Sequence, residues 1–294
     1  MPVNPVSLEL PDLVNLKEHA ESLIFSANEK FSLTGFGDKK SPFRSRGLDF
    51  QEVRVYQPGD DIRQIDWRVT AKYGEPFTKL YTEERDQQIY LICDLRPNMQ
   101  FASRGHFKSV IAGRLTALSA FMADKKKNRL SYILLTNKII SSINEANTDL
   151  IPTLLNQLTQ PLMTDSSIAF SDIISHLESH LKTGASLIFF SDFYDLTGDE
   201  LKYLGQLGQK NALTFIHIYD DMERQLPDGS LPYSNGKKSI IMEGEKIHKI
   251  FQKSWDEQTN LLRYSVQKYG YGYLALSTNS SYLNIYSQFC WGNK

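Results

Sequence analysis

The sequence is poor in cysteine and has no marked excess of charge of either sign. Its 294 residues include only two cysteines, Cys93 and Cys290, which excludes a disulfide scaffold and favours a cytoplasmic location. Lysine plus arginine number 33 against 34 aspartates and glutamates, so no basic surface for nucleic acid or an anionic membrane is indicated. Apolar runs of membrane-spanning length and a signal-peptide pattern are also lacking. The composition therefore predicts a soluble, cytoplasmic protein with no nucleic-acid partner and no membrane span.

The motifs of several familiar enzyme classes are absent as well. No Gly-x-Gly-x-x-Gly follows the first predicted strand, and neither Gly-x-x-x-x-Gly-Lys-Ser/Thr nor Gly-x-Ser-x-Gly occurs. Dinucleotide binding, a nucleotide phosphate loop and a serine-hydrolase elbow are therefore unsupported.

From residue 87 onward, short apolar runs alternate with helical patterns. The predicted strands lie at 88–94, 129–136, 185–192, 213–220 and 271–277. The predicted helices lie near 107–124, 149–160, 168–182, 198–210 and 248–269. An extra short strand at 138–143 would form an antiparallel edge. Runs that are apolar on both faces are typical of parallel strands covered on each side, so we predict an α/β fold: a doubly wound, mostly parallel sheet with helices on both faces.

The chain before residue 87 has a different pattern. Apolar residues at helical spacing predict a helix from about Pro11 to Phe25, and a loop rich in glycine, serine and lysine follows. A mixed strand pattern then ends at Pro58-Gly59. We therefore divide the chain into an N-terminal segment, residues 1–86, that packs on an α/β domain, residues 87–294.

Three predicted strands end in aspartate, at Asp94, Asp192 and Asp220. In open α/β sheets the ligand crevice lies at the carboxyl ends of the strands, where the strand order reverses. With the common order 3-2-1-4-5-6, Asp94 and Asp192 would face each other at that point. Two interpretations stay open: each aspartate caps the helix that follows it, or the pair forms a site. Two carboxylates with hydroxyls and waters would suit Mg²⁺.

The stretch VRVYQPGDDIRQIDWRVTAKYG, residues 53–74, sets many charges beside large apolar side chains. An aspartate after the Pro-Gly turn is predicted to cap a short helix beginning near Ile62, and Trp67 to fill a pocket. Arginine–carboxylate pairs would fix the segment's orientation, or some of these groups would contact a partner. This cluster comprises Arg54, Asp60, Asp61, Arg63, Asp66, Trp67, Glu83, Glu84 and Arg85.

The same region resembles a known family. The ordered run FRSRGLDFQEVRVYQPGDDIRQIDWRVTAKYGEPFTKLYTEERD is similar to the signature of the domain-of-unknown-function 58 proteins. The resemblance implies a von Willebrand factor A-like domain, a binding or adaptor role without catalysis, and a MoxR-type AAA+ ATPase of bacteria as partner. Such domains often bind Mg²⁺ through Asp-x-Ser-x-Ser, a threonine and a later aspartate. The corresponding positions here are Asp94, Arg96, Asn98, Thr164 and Asp192.

Arg96 and Asn98 stand where that motif has serines, which predicts a degenerate crevice. The Arg96 guanidinium would supply the positive charge that a metal brings elsewhere. We therefore expect a non-enzymatic protein-binding protein with no catalytic residues and no cofactor, Mg²⁺ being the one candidate ion. The alternative is a metal-dependent hydrolase, such as a phosphoesterase, that uses Asp94, Asp192 and Asp220 around a metal that activates water.

Overall fold

The computed structural model describes residues 4–26, 49–57, 60, 62–82, 87–143, 149–162, 165, 168–226, 230–234 and 239–292. The chain forms two compact units. Unit 1 comprises Met1–Lys39 together with Gln87–Lys294, and unit 2 comprises Lys40–Asp86.

The secondary structure of the described residues alternates as expected for an α/β chain. The helices are α1 (Leu10–Ser26), α2 (Trp67–Tyr73), α3 (Lys108–Lys125), α4 (Leu150–Leu158), α5 (Phe170–His180), α6 (Gly198–Leu207), α7 (Asp221–Arg224), α8 (Gly244–Tyr269) and α9 (Tyr282–Gly292). The strands are β1 (Asp49–Val55), β2 (Phe77–Thr82), β3 (Gln88–Asp94), β4 (Arg129–Leu135), β5 (Ile139–Ser142), β6 (Ser186–Ser191), β7 (Ala212–Tyr219), β8 (Ser230–Ser234), β9 (Ser239–Glu243) and β10 (Gly272–Ser277).

The main sheet of unit 1 has the strand order β10-β7-β6-β3-β4-β5 in the described part of the chain. β4 and β5 pair antiparallel, and the other neighbours pair parallel. Numbered along the chain, this is the predicted order 3-2-1-4-5-6, with 138–143 as the antiparallel edge. The predicted fold class, a mixed and mostly parallel sheet surrounded by helices, is confirmed.

Two hydrophobic cores lie on opposite faces of this sheet. Ile89, Leu91 and Cys93 of β3 pack in the core that also holds residues of α1, α3, α4 and α9. The alternate residues Tyr90 and Ile92 pack in the second core, with residues of α5, α6 and α8. Because successive strand side chains point to opposite faces, a strand buried on both faces is apolar on both, as β3 is from Ile89 to Cys93.

The N-terminal helix belongs to the sheet unit. Leu13, Leu16 and Ala20 of α1 are buried in the first core, and α1 contacts α3. The predicted division, which grouped all of residues 1–86, therefore differs from the structure at this helix. The physical reason is the apolar face of α1, which is buried by covering α3.

Unit 2 pairs β1 with β2 antiparallel and carries α2 between them. Asp66 caps α2, because its side chain accepts hydrogen bonds from the backbone N–H groups of Arg68 and Val69. The cap of the short helix near Ile62 was predicted at Asp60 or Asp61: the Asp60 carboxylate accepts from Gln57 N at 2.9 Å and pairs with Arg54 at 2.7 Å. Local ion pairs and caps therefore organise this turn.

The pocket predicted for Trp67 beside the sheet domain stays a prediction. Trp67 is 68% exposed and Ile62 is 65% exposed, so neither side chain is buried within unit 2. Arg63 is exposed as well. Asp61, Glu83, Glu84 and Arg85 lie outside the described residues, and the packing of unit 2 on the sheet domain stays a prediction.

Candidate functional site

The strand order of the main sheet reverses between β3 and β6. The two strands pair in parallel up to Cys93↔Phe190, so Asp94 and Asp192 follow neighbouring strand ends. Asp94 is fully buried and Asp192 nearly so, and the charge of Asp192 acts on the Asp94 carboxyl. The structure therefore brings this pair together at the switch point, where ligands of open α/β sheets bind.

Asp94 is bound by a guanidinium from its own loop. Arg96 Nε donates to Asp94 Oδ1 at 3.0 Å, and Arg96 Nη2 donates to Oδ2 at 2.8 Å. Ser191 Oγ donates to the same Oδ2 at 2.7 Å. This bidentate ion pair, reinforced by a hydroxyl, engages both oxygens of the Asp94 carboxylate.

The far edge of the same guanidinium binds a second carboxylate. Arg96 Nη1 and Nη2 donate to the two oxygens of Asp195 at 2.6 and 2.9 Å, and Nη1 also donates to Ile168 O at 3.1 Å. Asp195 in turn accepts from the backbone N of Phe170 at 2.9 Å, where α5 begins. Arg96 therefore ties the end of β3 to the loop after β6 and to the start of α5.

Asp192 is bound by an ammonium group. Lys108 Nζ donates to Asp192 Oδ2 at 2.7 Å and to Glu223 Oε1 at 2.5 Å. Asn98 Nδ2 lies 2.9 and 3.0 Å from the two Asp192 oxygens. The Lys108 side chain is 1% exposed, so this is a buried ion pair with its hydrogen bonds satisfied.

The ionisation of these groups follows from burial and from the paired charges. Burial raises the pKa of Asp192, but the Lys108 ammonium and the hydrogen bonds from Tyr194 N and Asn98 together outweigh burial, and the net pKa is lowered. Burial lowers the pKa of Lys108, but Asp192 and Glu223 outweigh it and the net pKa is raised. Burial raises the pKa of Asp94. The hydrogen bonds and the charge of Arg96 lower it, but burial is the larger effect and the net pKa is raised. The Asp192–Lys108 pair is therefore charged at neutral pH.

Asp220 has a different role from the other two strand-end aspartates. Its side chain caps α7 by accepting from Met222 N at 2.9 Å. It also accepts from Ser103 N at 2.7 Å and from Thr278 Oγ1 at 2.6 Å. The helix-cap interpretation therefore fits Asp220, whereas side-chain cations bind Asp94 and Asp192.

A strained turn places the acidic residues after β6. Phe193 has a φ of 55°, the left-handed region that β-carbon-bearing residues rarely adopt. Its side chain is fully buried, with ring contacts to Phe170, Phe215 and His217. This packing holds a backbone conformation that costs about 1–3 kcal/mol, and residues so held cluster at functional sites.

The residues at the switch point do not fit a Mg²⁺ ion. Mg²⁺ needs oxygen ligands in an octahedron, yet the oxygens of Asp94 and Asp192 already accept hydrogen bonds from protein groups. Two buried cations, Arg96 and Lys108, would repel the ion. In the described ranges, no group of three His, Cys, Asp or Glu side chains is arranged to hold a metal. Thr164, the candidate threonine of the predicted site, lies outside those ranges.

Sequence reasoning missed four members of this site: Lys108, Ser191, Asp195 and Glu223. Asp195 follows Asp192 by three residues in SDFYD, so the sequence did show a second acidic residue just after this strand. The sequence around Lys108 did not indicate that it belongs to the site, because its partner Asp192 is 84 residues away in the sequence.

The fold and the site define a doubly wound α/β protein with an internal charge network at its switch point. The family model described as "Protein of unknown function DUF58" matches residues 52–258, and the chain belongs to that family. It is similar to an uncharacterized protein of Mycobacterium tuberculosis, with 22% identity over 249 residues that cover 82% of this chain and 78% of the relative.

Two solved structures from Bacteroides are also similar. The conserved hypothetical protein BatB from Bacteroides thetaiotaomicron has a TM-score of 0.43 and 11% identity, covering 70% of this chain and 98% of that one. An aerotolerance-related membrane protein from Bacteroides fragilis has a TM-score of 0.41 and 10% identity, covering 69% and 98%.

These descriptions bear on the predicted location. One of the similar structures is described as a membrane protein, which contradicts the cytoplasmic location predicted from composition, and that prediction is withdrawn. Within the described residues, no helix combines the length and the apolar character needed to cross a bilayer.

Proposed function

We propose that this chain is a non-enzymatic protein-binding or adaptor protein. Its sheet unit acts as a von Willebrand factor A-like domain. Its partner is a MoxR-type AAA+ ATPase, with which it assembles or remodels other proteins. The observation that supports this proposal best is that Asp94 and Asp192 are each bound by a cation of the same chain. A metal-dependent hydrolase needs carboxylate oxygens that are free to hold the metal.

We propose that the partner binds to exposed apolar side chains of unit 2. Trp67, Ile62 and Tyr73 are 68%, 65% and 63% exposed, although each has a large apolar side chain. Aromatic residues of this kind are frequent anchors of protein interfaces. Asp60 and Asp66 are engaged in a local ion pair and a helix cap, so their carboxylates serve the structure of unit 2.

Co-purification with a MoxR-type AAA+ ATPase from the same organism tests this proposal. Trp67→Ala is expected to reduce the retained ATPase roughly tenfold or more, as loss of an interface anchor does. Tyr264→Ala is the matched control, because Tyr264 is 61% exposed on α8 of unit 1. Failure of the wild-type chain to retain the ATPase, or equal retention by both variants, contradicts the proposal.

A second assay addresses the hydrolase alternative. Wild-type protein and Asp94→Ala would be incubated with a generic phosphoester in the presence of Mg²⁺ or Mn²⁺. We expect no turnover above the uncatalysed rate with either protein. Metal-dependent turnover by the wild type that is lost in Asp94→Ala would establish the hydrolase instead.

A further inference from the structure

Two histidines lie on the same face of α5, outside the charge network at the switch point. His176 and His180 are about one helical turn apart, and their ring centroids are separated by 4.7 Å. His180 is exposed and His176 is partly exposed, so solvent reaches both rings. Zinc is bound by two histidines at this spacing in the His-Glu-x-x-His motif of metalloproteases. Here leucine stands in the place of that catalytic glutamate, so the spacing suggests metal binding without the protease chemistry.

Hydrogen bonds in the last turn of α5 decide which ring nitrogen of His180 carries a proton. Ser179 Oγ donates to His176 O at 2.9 Å, so the proton of this hydroxyl is already used. His180 Nδ1 lies 2.7 Å from Ser179 Oγ and 2.9 Å from His176 O, and both of these oxygens can only accept from it. In the neutral ring the proton is therefore on Nδ1, and the lone pair that can bind a metal is on Nε2.

The ring of His176 is oriented by a different element. Its Nε2 atom forms a hydrogen bond with Ser141 Oγ, on β5, at 3.0 Å. Metal-binding histidines usually have one ring nitrogen hydrogen-bonded to the protein, which fixes the ring so that the other nitrogen can bind the metal. Burial and the charge of His180 lower the pKa of His176. The neutral imidazole, which is the form that binds metals, is therefore favoured at pH 7.

We propose that His176 and His180 together bind one divalent transition-metal ion of the class that prefers imidazole ligands, such as Zn²⁺ or Cu²⁺. With metal–nitrogen bonds of about 2.0–2.1 Å, two imidazoles on one ion have ring centroids roughly 4.5–5.2 Å apart. The 4.7 Å separation of the two rings lies within this range. Water would complete the coordination, and the dipole of α5 favours a positive charge at its last turn. The site does not depend on the proposed partner.

Isothermal titration calorimetry of the untagged full chain with ZnCl₂ and CuCl₂ tests this site. The wild type should bind Zn²⁺, and Cu²⁺ more tightly, because affinity for nitrogen ligands is highest for Cu²⁺ in this series. Excess MgCl₂ should not displace Zn²⁺, since Mg²⁺ prefers oxygen ligands. His180→Asn should weaken Zn²⁺ binding by roughly tenfold or more, because the second imidazole acts at a high effective concentration. His248→Asn, at a partly exposed histidine of α8, is the control and should bind Zn²⁺ as the wild type does.

A variant with the same number of histidines distinguishes this pair from general binding by surface histidines. Glu178→His combined with His180→Asn keeps the chain's six histidines but sets the pair two residues apart, where side chains on a helix do not face each other. This double variant should bind Zn²⁺ as weakly as His180→Asn does. The proposal is overturned if the wild type binds no Zn²⁺, if His180→Asn binds it as tightly as the wild type, or if the double variant regains the wild-type affinity. Because residues 178 and 180 are exposed, far-ultraviolet circular dichroism should show all variants folded.

Discussion

Arg96 follows Asp94 by only two residues and decides the chemistry of the switch point. Its guanidinium binds Asp94 on one edge and Asp195 on the other, at 4% exposure. The family resemblance indicated that this arginine could replace a metal's charge, because Arg96 stands where the motif of such domains has a serine. It did not indicate Asp195 as the second partner, since that contact spans 99 residues.

We expect Arg96→Met to lower the free energy of unfolding by roughly 3–5 kcal/mol, because the fully buried carboxylate of Asp94 and the partly buried carboxylate of Asp195 lose their counter-charge. Urea unfolding followed by circular dichroism measures this loss. Arg104→Met, at an exposed position, is the control and should change stability by less than about 0.5 kcal/mol. Equal effects of the two substitutions would show that the Arg96 ion pairs contribute little.

His217 predicts a pH dependence of stability. Burial lowers its pKa from 6.5 to about 4, so the folded protein excludes a proton that the unfolded chain binds below pH 6.5. Stability should therefore fall as the pH falls from 6.5 towards 4, by at most about 1.4 kcal/mol per pH unit from this residue. His217→Gln should be less steep than wild type between pH 6.5 and 5 in urea unfolding. Identical slopes would mean that His217 titrates normally in the folded state.

The loop between β3 and α3 is fastened to the end of β10 by close backbone contact. Gly105 has a φ of 75°, and a β-carbon there would stand 2.2 Å from the carbonyl oxygen of Thr278. Ser103 N and Thr278 Oγ1 donate to the same oxygen of Asp220. This loop leads directly into Lys108, so its path positions a residue of the charge network at the switch point.

Gly105→Ala should therefore destabilise the protein by about 1–3 kcal/mol, because both the backbone conformation and the space are unfavourable for a side chain. Gly198→Ala is the matched control, since nothing lies within 4 Å of its β-carbon position. Differential scanning calorimetry compares the two variants. Equal transition temperatures would argue that the loop shifts without cost.

The elements differed in how far the sequence could predict them. The strands of the main sheet were predicted because burial on both faces makes them short, continuous apolar runs. The β8–β9 pair was missed: β8 contains Pro232, and proline counts against a strand. The helix α9 was missed because its apolar and aromatic residues mix with serine, asparagine and glutamine, which gives no clear stripe. Side-chain contacts across 84 or more residues, as at Lys108, follow only from the folded topology.

The whole molecule divides into a sheet unit that is interrupted in sequence and an inserted unit. Both hydrophobic cores of unit 1 are built from residues outside Lys40–Asp86, within the described part of the chain. The ordered run that resembles the family signature, residues 43–86, falls within the inserted unit.

A variant with Lys40–Asp86 replaced by a flexible Gly–Ser linker should keep cooperative thermal unfolding, because the cores of unit 1 remain complete. Near-ultraviolet circular dichroism should retain its fine structure, which reports packed aromatic side chains such as Phe189 and Phe215. The same variant should lose the ATPase in co-purification. A non-cooperative transition would instead show that the inserted unit is required for the sheet unit to fold.

The positive charges at the switch point are covalently part of the polypeptide. Because Arg96 and Lys108 belong to the chain itself, the positive charges of this crevice are in place once the protein has folded. Its shape should be unaffected by chelators such as EDTA and by changes in the cell's supply of divalent ions.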